Sequence, residues 1–407
     1  MIDYLSISGF KSFEKVELNL GPLNFFVGAN SSGKSNLFDA LRVLQGIGYG
    51  LRVDEIFNGK PKSGNSEVWE PIRGGGANAG LLKWDPVKQR HTRQLVTIAI
   101  RGSSSVGPFD YSVTFSALRG AVRRERLTVG GAVVFSSDGV GNAADRSRFT
   151  VEYFGPGRGR HPHLQFDRGR PILSQIGFEI EPWEGLPAVE ILALLSNCQH
   201  LDPSPAVLRE YSAGREVRRL GERGENFAAL VKTILADEGT AAAYKSWLER
   251  LTPKDLDDVK ILHGALGEPL FALRHGGREF AAPVLSDGTL RFAALTAAFF
   301  QPDMPRTLVL EEIENGIHPS RLRLLVELLR ARSSEADGPQ VMASTHSPVI
   351  IDWLTSLDLR HCFLCRHDEE TGVSLIQPLD SLPRFTEIAQ RQTAGELFTE
   401  GWMESSA

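Results

Sequence analysis

Residues Gly28-Ala29-Asn30-Ser31-Ser32-Gly33-Lys34-Ser35 fit the pattern G-x-x-x-x-G-K-[ST] at every fixed position. The apolar residues 23–27 before them read as a buried strand. Leu37, Phe38, Leu41, Leu44 and Ile47 after them recur at helical spacing. Strand, glycine loop and helix are the context this pattern needs. Consecutive main-chain N–H groups then form an anion cradle, and the helix N-terminus adds a favourable dipole. The stretch therefore reads as a site for a nucleoside triphosphate, with Asn30, Ser31, Ser32, Gly33, Lys34, Ser35 and Asn36 as contacts. Lys34 is placed to reach the β- and γ-phosphates, and the Ser35 hydroxyl to ligate Mg²⁺.

A chain of 407 residues has room for one large domain or two to three smaller ones. With 42% hydrophobic and 23% charged residues it has the make-up of a globular protein with a sizeable core. The formal charge of −5 gives no global pull towards nucleic acid or anionic lipid, so such binding would need local patches. Three cysteines make no disulfide framework. The N-terminus shows no signal-peptide pattern, and the longest apolar run, 292–300, is far too short to span a bilayer. A cytoplasmic protein without membrane partners is expected.

Along the chain, short apolar runs with turns at residues 9–13 and 21–22 predict an antiparallel start that feeds the phosphate loop. Residues 51–93, rich in Gly, Pro, Asn and Lys, read as mostly loop. Within them, Gly74-Gly75-Gly76 reads as a flexible turn, since no Lys-Ser follows it. Runs at 95–100, 111–115 and 133–135 predict a small antiparallel sheet. Residues 155–170 carry four arginines and two histidines among glycines, which suits either a phosphate-backbone contact or a solvated loop. Residues 186–262 read as largely helical. There, Arg209, Arg215, Arg218, Arg219 and Arg223 alternate with Glu210, Glu216 and Glu222, which reads as a salt-bridged helix face or a nucleic-acid stripe. The β/α rhythm returns with a strand at 307–310, a helix at 321–330 and a strand at 340–344. The chain after about 366 reads as a short appendix.

Leu308-Val309-Leu310-Glu311-Glu312 is a strand ending in two acids, expected at the carboxyl edge of a parallel sheet beside the phosphate loop. One acid can support Mg²⁺, and the next can deprotonate an attacking water. Adjacent strand residues face opposite ways, so both reach a site only if the chain turns there. Leu285-Ser286-Asp287-Gly288-Thr289-Leu290-Arg291 places Ser and Gly at a helix start, an anion-binding arrangement. In Ser344-Thr345-His346-Ser347-Pro348, a histidine after a buried strand can bond a γ-phosphate. The C-x-x-C of Cys362 and Cys365 lies in a strand reading, which turns the two thiols to opposite faces and argues against a metal pair.

Together with residues 7–13 and 35–41, these four elements resemble ATP-binding-cassette ATPases of the SMC/RecF-like kind. Glu311-Glu312-Ile313-Glu314-Asn315-Gly316-Ile317-His318-Pro319 is most similar to the bacterial group related to OLD-family and phage-defence ATPases. The resemblance implies an α/β P-loop ABC-type ATPase head. It would have a mixed sheet with helices, an antiparallel β subdomain and a mostly helical insertion. Domains are expected at 1–180 and 271–365 for the two lobes, 181–270 for the insertion and 366–407 for the appendix. It further implies a head-to-head dimer sandwiching two ATP, with assembly into higher oligomers open. Lys34 and Ser35 would hold phosphates and Mg²⁺, Glu311 would take the Walker B position, Glu312 would be the base and His346 the switch. Ser286 and Gly288 would contact the other subunit's ATP, and Gln175 is the candidate metal-contacting glutamine.

Asp287 and Thr289 replace the Gly and Gln of the common L-S-G-G-Q signature, and Ile313 stands where this group usually has Pro. The expected function is ATP-driven switching of a grip on DNA or a partner effector, in DNA repair or phage defence. The 61 residues after His346 are too few for an OLD-type nuclease domain, so cutting would fall to a separate nuclease or toxin. An assembly protein using ATP as structural glue is the alternative. A transporter subunit fits less well, because 258 residues separate Gly28 from Ser286.

Overall fold

The computed structural model describes residues 1–60, 69–137, 148–154, 160–179, 187–251, 256–388 and 391–405. They divide into two compact units. One comprises Met1–Gly21, Gly28–Cys198 and Phe363–Pro378, and the other Pro22–Val27, Gln199–Cys362 and Leu379–Ala407.

The first unit is built on an eight-stranded sheet, whose order is Arg160–Asp167, Arg148–Phe154, Ala132–Ser136, Ala121–Val129, Gly107–Ser116, Val96–Ser104, Ile2–Phe10 and Phe13–Asn19. Its seven neighbouring strand pairs are all antiparallel, as the alternating sequence predicts. Ile7, Ile98 and Val113 stand opposite one another and are buried, while their sequence neighbours Ser8, Thr97 and Thr114 lie on the other face. The first two strands close through Lys11 and Ser12, with Phe10 opposite Phe13. Lys11 takes φ +50°, a left-handed value suited to so short a turn. The amphipathic helix Lys34–Gly48 buries Leu37, Phe38, Leu41, Leu44 and Ile47, as its spacing predicts. Gly74 to Gly76 differ from the loop expectation, because Gly75–Ala79 forms a short helix tied by the Gly76 N–H to Asn58 Oδ1 at 2.9 Å.

The second unit holds a buried parallel core. Thr307–Leu310 pairs in parallel with Gln340–Thr345, which pairs in parallel with Leu23–Val27. All three strands are buried throughout, which is why they read as continuous apolar runs instead of alternations. Leu310 lies opposite Ala343, and Val27 opposite Thr345, so these three strands end at one edge. The chain leaves that edge at Val27, and Gly28 is the next residue. Helices Phe227–Leu235, Glu238–Leu251, Asp287–Ala298 and Pro319–Ser333 and a three-stranded sheet from Leu256–His263, Pro269–His275 and Arg278–Ala281 complete the unit.

Arg209 to Arg223 do not form the expected helix face. The short helix Pro205–Leu208 ends before them, and they run as turns and extended chain. Charge alternation alone has no apolar stripe to bury, and these arginines find partners elsewhere: Arg209 with Asp287, Arg218 with Asp303. After residue 366 the chain completes an antiparallel pair, Cys362–Asp368 with Val373–Pro378.

Candidate functional site

The phosphate loop lies in the first unit. Gly33 takes φ +107° and caps the helix Lys34–Gly48, which has no side-chain cap and no acid in its first turn. Ser31 is also left-handed, at φ +67°. Strain of this kind is sustained only where surroundings fix it, and it recurs at ligand clamps. Gly28 is fixed by close approach, since a Cβ there would sit 2.2 Å from the Cys365 carbonyl oxygen. The Lys34 ammonium is buried and donates to the carbonyls of Gly28 at 2.6 Å and Ala29 at 2.8 Å. It is thus folded onto the loop that would carry the anion. Ser32 Oγ is buried and finds no hydrogen-bond partner among the described residues, an unsatisfied hydroxyl inside the cradle. Asn36 donates to Ser12 Oγ at 2.8 Å, tying the helix start to the first hairpin. A strained glycine-rich loop, an uncapped helix start without acids and an orphaned hydroxyl all fit a bound phosphate chain.

The acidic loop lies in the second unit. Glu312 takes φ +46°, so the chain turns immediately after its strand and the two acids are not held to opposite faces. The turn is held from several sides. Ser344 Oγ accepts the Glu312 N–H at 3.0 Å, and the Ser344 carbonyl accepts the Ile313 N–H at 3.2 Å. A proline at 313 would lose that second bond, which accounts locally for isoleucine there. Asn315 Nδ2 donates to the Glu312 carboxylate at 2.6 Å. Glu314 is buried and accepts the His346 N–H at 2.6 Å, with the His346 ring Nδ1 2.9 Å from the same oxygen. The histidine side chain itself is 40% exposed, as a group that meets a ligand must be.

Ser286 caps the helix Asp287–Ala298 by accepting the Thr289 N–H at 3.2 Å. Asp287, the residue that departs from the signature, pairs with Arg209, which also donates to the Leu285 carbonyl at 3.0 Å. This helix start and that of Pro319–Ser333 open onto one cleft of about 730 Å³, lined by Ser286, Gly288, Thr289, Gly316, His318 and Arg321 among others. Two helix N-termini with a histidine and an arginine favour an anion there, while Asp287 in the same lining opposes one and is offset by its pairing with Arg209.

Gln175 lies on the helix Ile172–Glu179 and is buried. Its oxygen accepts the Asp167 N–H at 2.9 Å, and its amide nitrogen donates to the Asp167 and Arg170 carbonyls at 2.9 Å each. The amide is committed to holding that turn, and a metal contact would require its release. Among the described residues no group of three His, Cys, Asp or Glu could hold a metal. A Mg²⁺ held by one hydroxyl, one carboxylate and substrate phosphates needs none. Cys362 and Cys365 are buried in one strand, and burial pushes the Cys365 thiol up to about 12. Of the basic segment 155–170, residues 155–159 lie outside the described residues, and Arg160–Asp167 is a strand. No helix among the described residues is long and apolar enough to cross a membrane.

Comparison with known proteins follows the same outline. An AAA domain profile whose description names the AbiEii toxin of type IV toxin–antitoxin systems matches residues 249–352, and an AAA ATPase domain profile matches residues 1–51. The structure of an SMC head bound to the C-winged helix domain of ScpA aligns with TM-score 0.51 at 15% identity, covering 92% of this chain and 97% of that one. The fold is that of an SMC head. An SMC head domain from Thermotoga maritima aligns with TM-score 0.44 at 15% identity over 93% of this chain and 98% of that one. An SMC head from Pyrococcus furiosus, with an extended coiled coil and bound to the C-terminal domain of ScpA, gives 0.47 at 14% over 96% and 98%. No curated protein matches the chain. The two profiles fall on the ends of the SMC-head fold that carry the phosphate loop and the acidic loop, and leave 52–248 between them.

The sequence alone assigns no part to Arg291, Glu314, Asn315 or Ser344, although each stands inside one of the motifs above. For Arg291 a signal existed: an arginine opening the otherwise apolar helix segment 290–300 must find buried acceptors.

Proposed function

We propose that the chain binds MgATP and hydrolyses it. Two copies close head to head over two nucleotides, and closure switches the grip on DNA or on a partner effector. The single observation that carries the reading is the phosphate loop. Its left-handed Gly33, the strained Ser31, the buried Lys34 and the Ser32 hydroxyl left unsatisfied among the described residues support anion binding rather than a chance turn. Lys34 and the loop N–H groups would hold the phosphates. Mg²⁺, held by Ser35 and by Glu311 directly or through water, would when bound neutralise charge developing on the β- and γ-phosphate oxygens. Glu312 would take a proton from the attacking water as its oxygen bonds to the γ-phosphorus. The bond to the β-γ bridging oxygen breaks, and its electron pair leaves with ADP. His346 would bond the γ-phosphate, and Ser286 and Gly288 would contact the nucleotide of the other copy.

The solved SMC head with the winged-helix domain of ScpA supports a protein partner as the thing gripped. A defence or repair setting is part of the same proposal, supported by the match to a profile named for a toxin–antitoxin system. The test is the mass of Glu312→Gln with ATP and Mg²⁺, compared with ADP. A doubled mass with ATP alone supports the closing dimer, and an unchanged monomer overturns it. If wild type shows no turnover while ATP still doubles its mass, ATP acts as structural glue.

A further inference from the structure

Arg291 stands on the second turn of the helix Asp287–Ala298, three residues after Gly288, and is only 4% exposed. Its guanidinium reaches four acceptors on two other segments. Nη1 donates to the Pro203 carbonyl at 2.9 Å, and Nη2 to the carbonyls of Glu311 at 3.0 Å and Glu312 at 3.2 Å. Nη2 also lies 3.0 Å from the Asp202 carboxylate. Nε is buried without a partner among the described residues. Leu201 and Glu311 are themselves joined, because the Glu311 N–H donates to the Leu201 carbonyl at 3.3 Å. One side chain therefore fastens the ends of the neighbouring strands Cys198–Leu201 and Thr307–Leu310 to the helix capped by Ser286.

A second contact couples the same two parts. A Cβ at Gly288 would sit 2.3 Å from the Gly316 carbonyl oxygen, so the first turn of the helix lies directly on the far end of the acidic loop. The helix thus grips residues 311–316 at both ends, by Arg291 at Glu311 and Glu312 and by Gly288 at Gly316. At the first of these grips Glu312 takes φ +46°, a conformation a glutamate does not keep without restraint. Charge-assisted bonds from a buried guanidinium to its carbonyl supply one.

We propose that Arg291 is a positioning residue. It locks the backbone of Glu311 and Glu312 to the helix carrying Ser286 and Gly288, so that the helix and Glu312 move as one piece. Binding of an anion at the helix start then sets the placement of the base directly. This rests on the proposed ATPase reading. Lysine lacks the planar fork and cannot serve both carbonyl groups and Pro203 together, so Arg291→Lys keeps the charge and loses the lock.

The experiment pairs two readouts on Arg291→Lys and Arg291→Met. Hydrogen exchange of the full-length protein without nucleotide reports the lock independently of activity. The amides of 312–316 are expected to exchange at least about tenfold faster in both variants, with the phosphate-loop helix unchanged. In steady-state hydrolysis, kcat is expected to fall at least about tenfold in Arg291→Lys while ATP affinity stays within about twofold. Unchanged exchange at 312–316 overturns the proposal, as does a folded variant with kcat within twofold of wild type. A parallel loss of kcat and affinity also overturns it in favour of a merely structural arginine. If exchange rises as expected but wild type itself does not hydrolyse ATP, the lock stands and the ATPase reading fails.

Discussion

Glu314 Oε1 accepts the main-chain N–H of His346 at 2.6 Å and lies 2.9 Å from that residue's ring Nδ1. One buried carboxylate oxygen thus fixes the backbone of the histidine that would meet the γ-phosphate and lies beside its ring, whose Nδ1 completes no hydrogen bond among the described residues. It acts from two residues beyond Glu312, so the proposed base and the histidine share a support. Glu314→Gln keeps an acceptor for the N–H but loses the charge beside the ring. Turnover should fall about tenfold or more, the low end for a disturbed proton-handling group, with ATP affinity unchanged. Steady-state phosphate release with a parallel binding titration checks this. Equal loss in both quantities would mean that Glu314 only holds the fold.

Lys34 is held by the carbonyls of Gly28 and Ala29 and is the one ammonium within the loop motif. Lys34→Ala should weaken ATP binding by about 2–3 kcal/mol, the range for a charge-assisted hydrogen bond and its loss. Titration calorimetry reads this directly. Affinity within twofold of wild type would remove the phosphate loop from the account.

Gly28→Ala tests the loop's shape instead of its charge. The new methyl would meet the Cys365 carbonyl at 2.2 Å and Ser32 Oγ at 2.7 Å, and backbone must move to admit it. A stability loss of about 1–3 kcal/mol is expected, together with lost nucleotide binding. Denaturant unfolding and the same titration measure both.

Arg209 pairs with Asp287, the acid that replaces a signature glycine. The pair is largely exposed, so Arg209→Ala should leave stability within about 1 kcal/mol. Activity should fall several-fold as the acid is left uncompensated near an incoming phosphate. Asp287→Asn in the Arg209→Ala background should restore it. Failure of the double variant to recover would mean Arg209 acts by some route other than neutralising Asp287.

Glu125 is expected to contribute a pH dependence of stability. It is fully buried, and desolvation raises its pKa from the ordinary 4.5 to about 7, although the N–H groups of Leu173 and Ile172 and the Tyr111 hydroxyl partly oppose the shift. A carboxyl raised on folding is protonated in the native state while the unfolded chain has already ionised. Its contribution is therefore full below about 4.5 and is lost as pH rises to about 7, a change of about 3 kcal/mol. Urea midpoints across pH 5–8 should fall for wild type and stay flatter in Glu125→Gln. Parallel curves would assign the slope elsewhere.

The phosphate loop and the strand Thr307–Leu310 were legible because each depends on local sequence: a fixed glycine–lysine spacing in one, an unbroken apolar run in the other. The turn at Glu312 was anticipated only as a requirement, since its left-handed φ comes from Ser344 and Arg291, residues remote in the chain. Gln175 is a metal-contacting candidate only through the resemblance; its buried amide satisfies its hydrogen bonds at Asp167 and Arg170, an engagement that no local sequence signal marks. The charges from Arg209 to Arg223 suggested a helix through alternation, yet their partners Asp287 and Asp303 lie some eighty residues away. Pairings of that separation leave no periodic trace.

The most direct measurement of the central claim is phosphate release from ATP with and without Mg²⁺, for wild type and Glu312→Gln side by side. The account predicts Mg²⁺-dependent turnover in wild type and a drop of about 10²-fold or more in Glu312→Gln, with ATP still bound. Equal rates in the two proteins would contradict the role given to Glu312, and absence of both binding and turnover in wild type would contradict the ATPase reading itself.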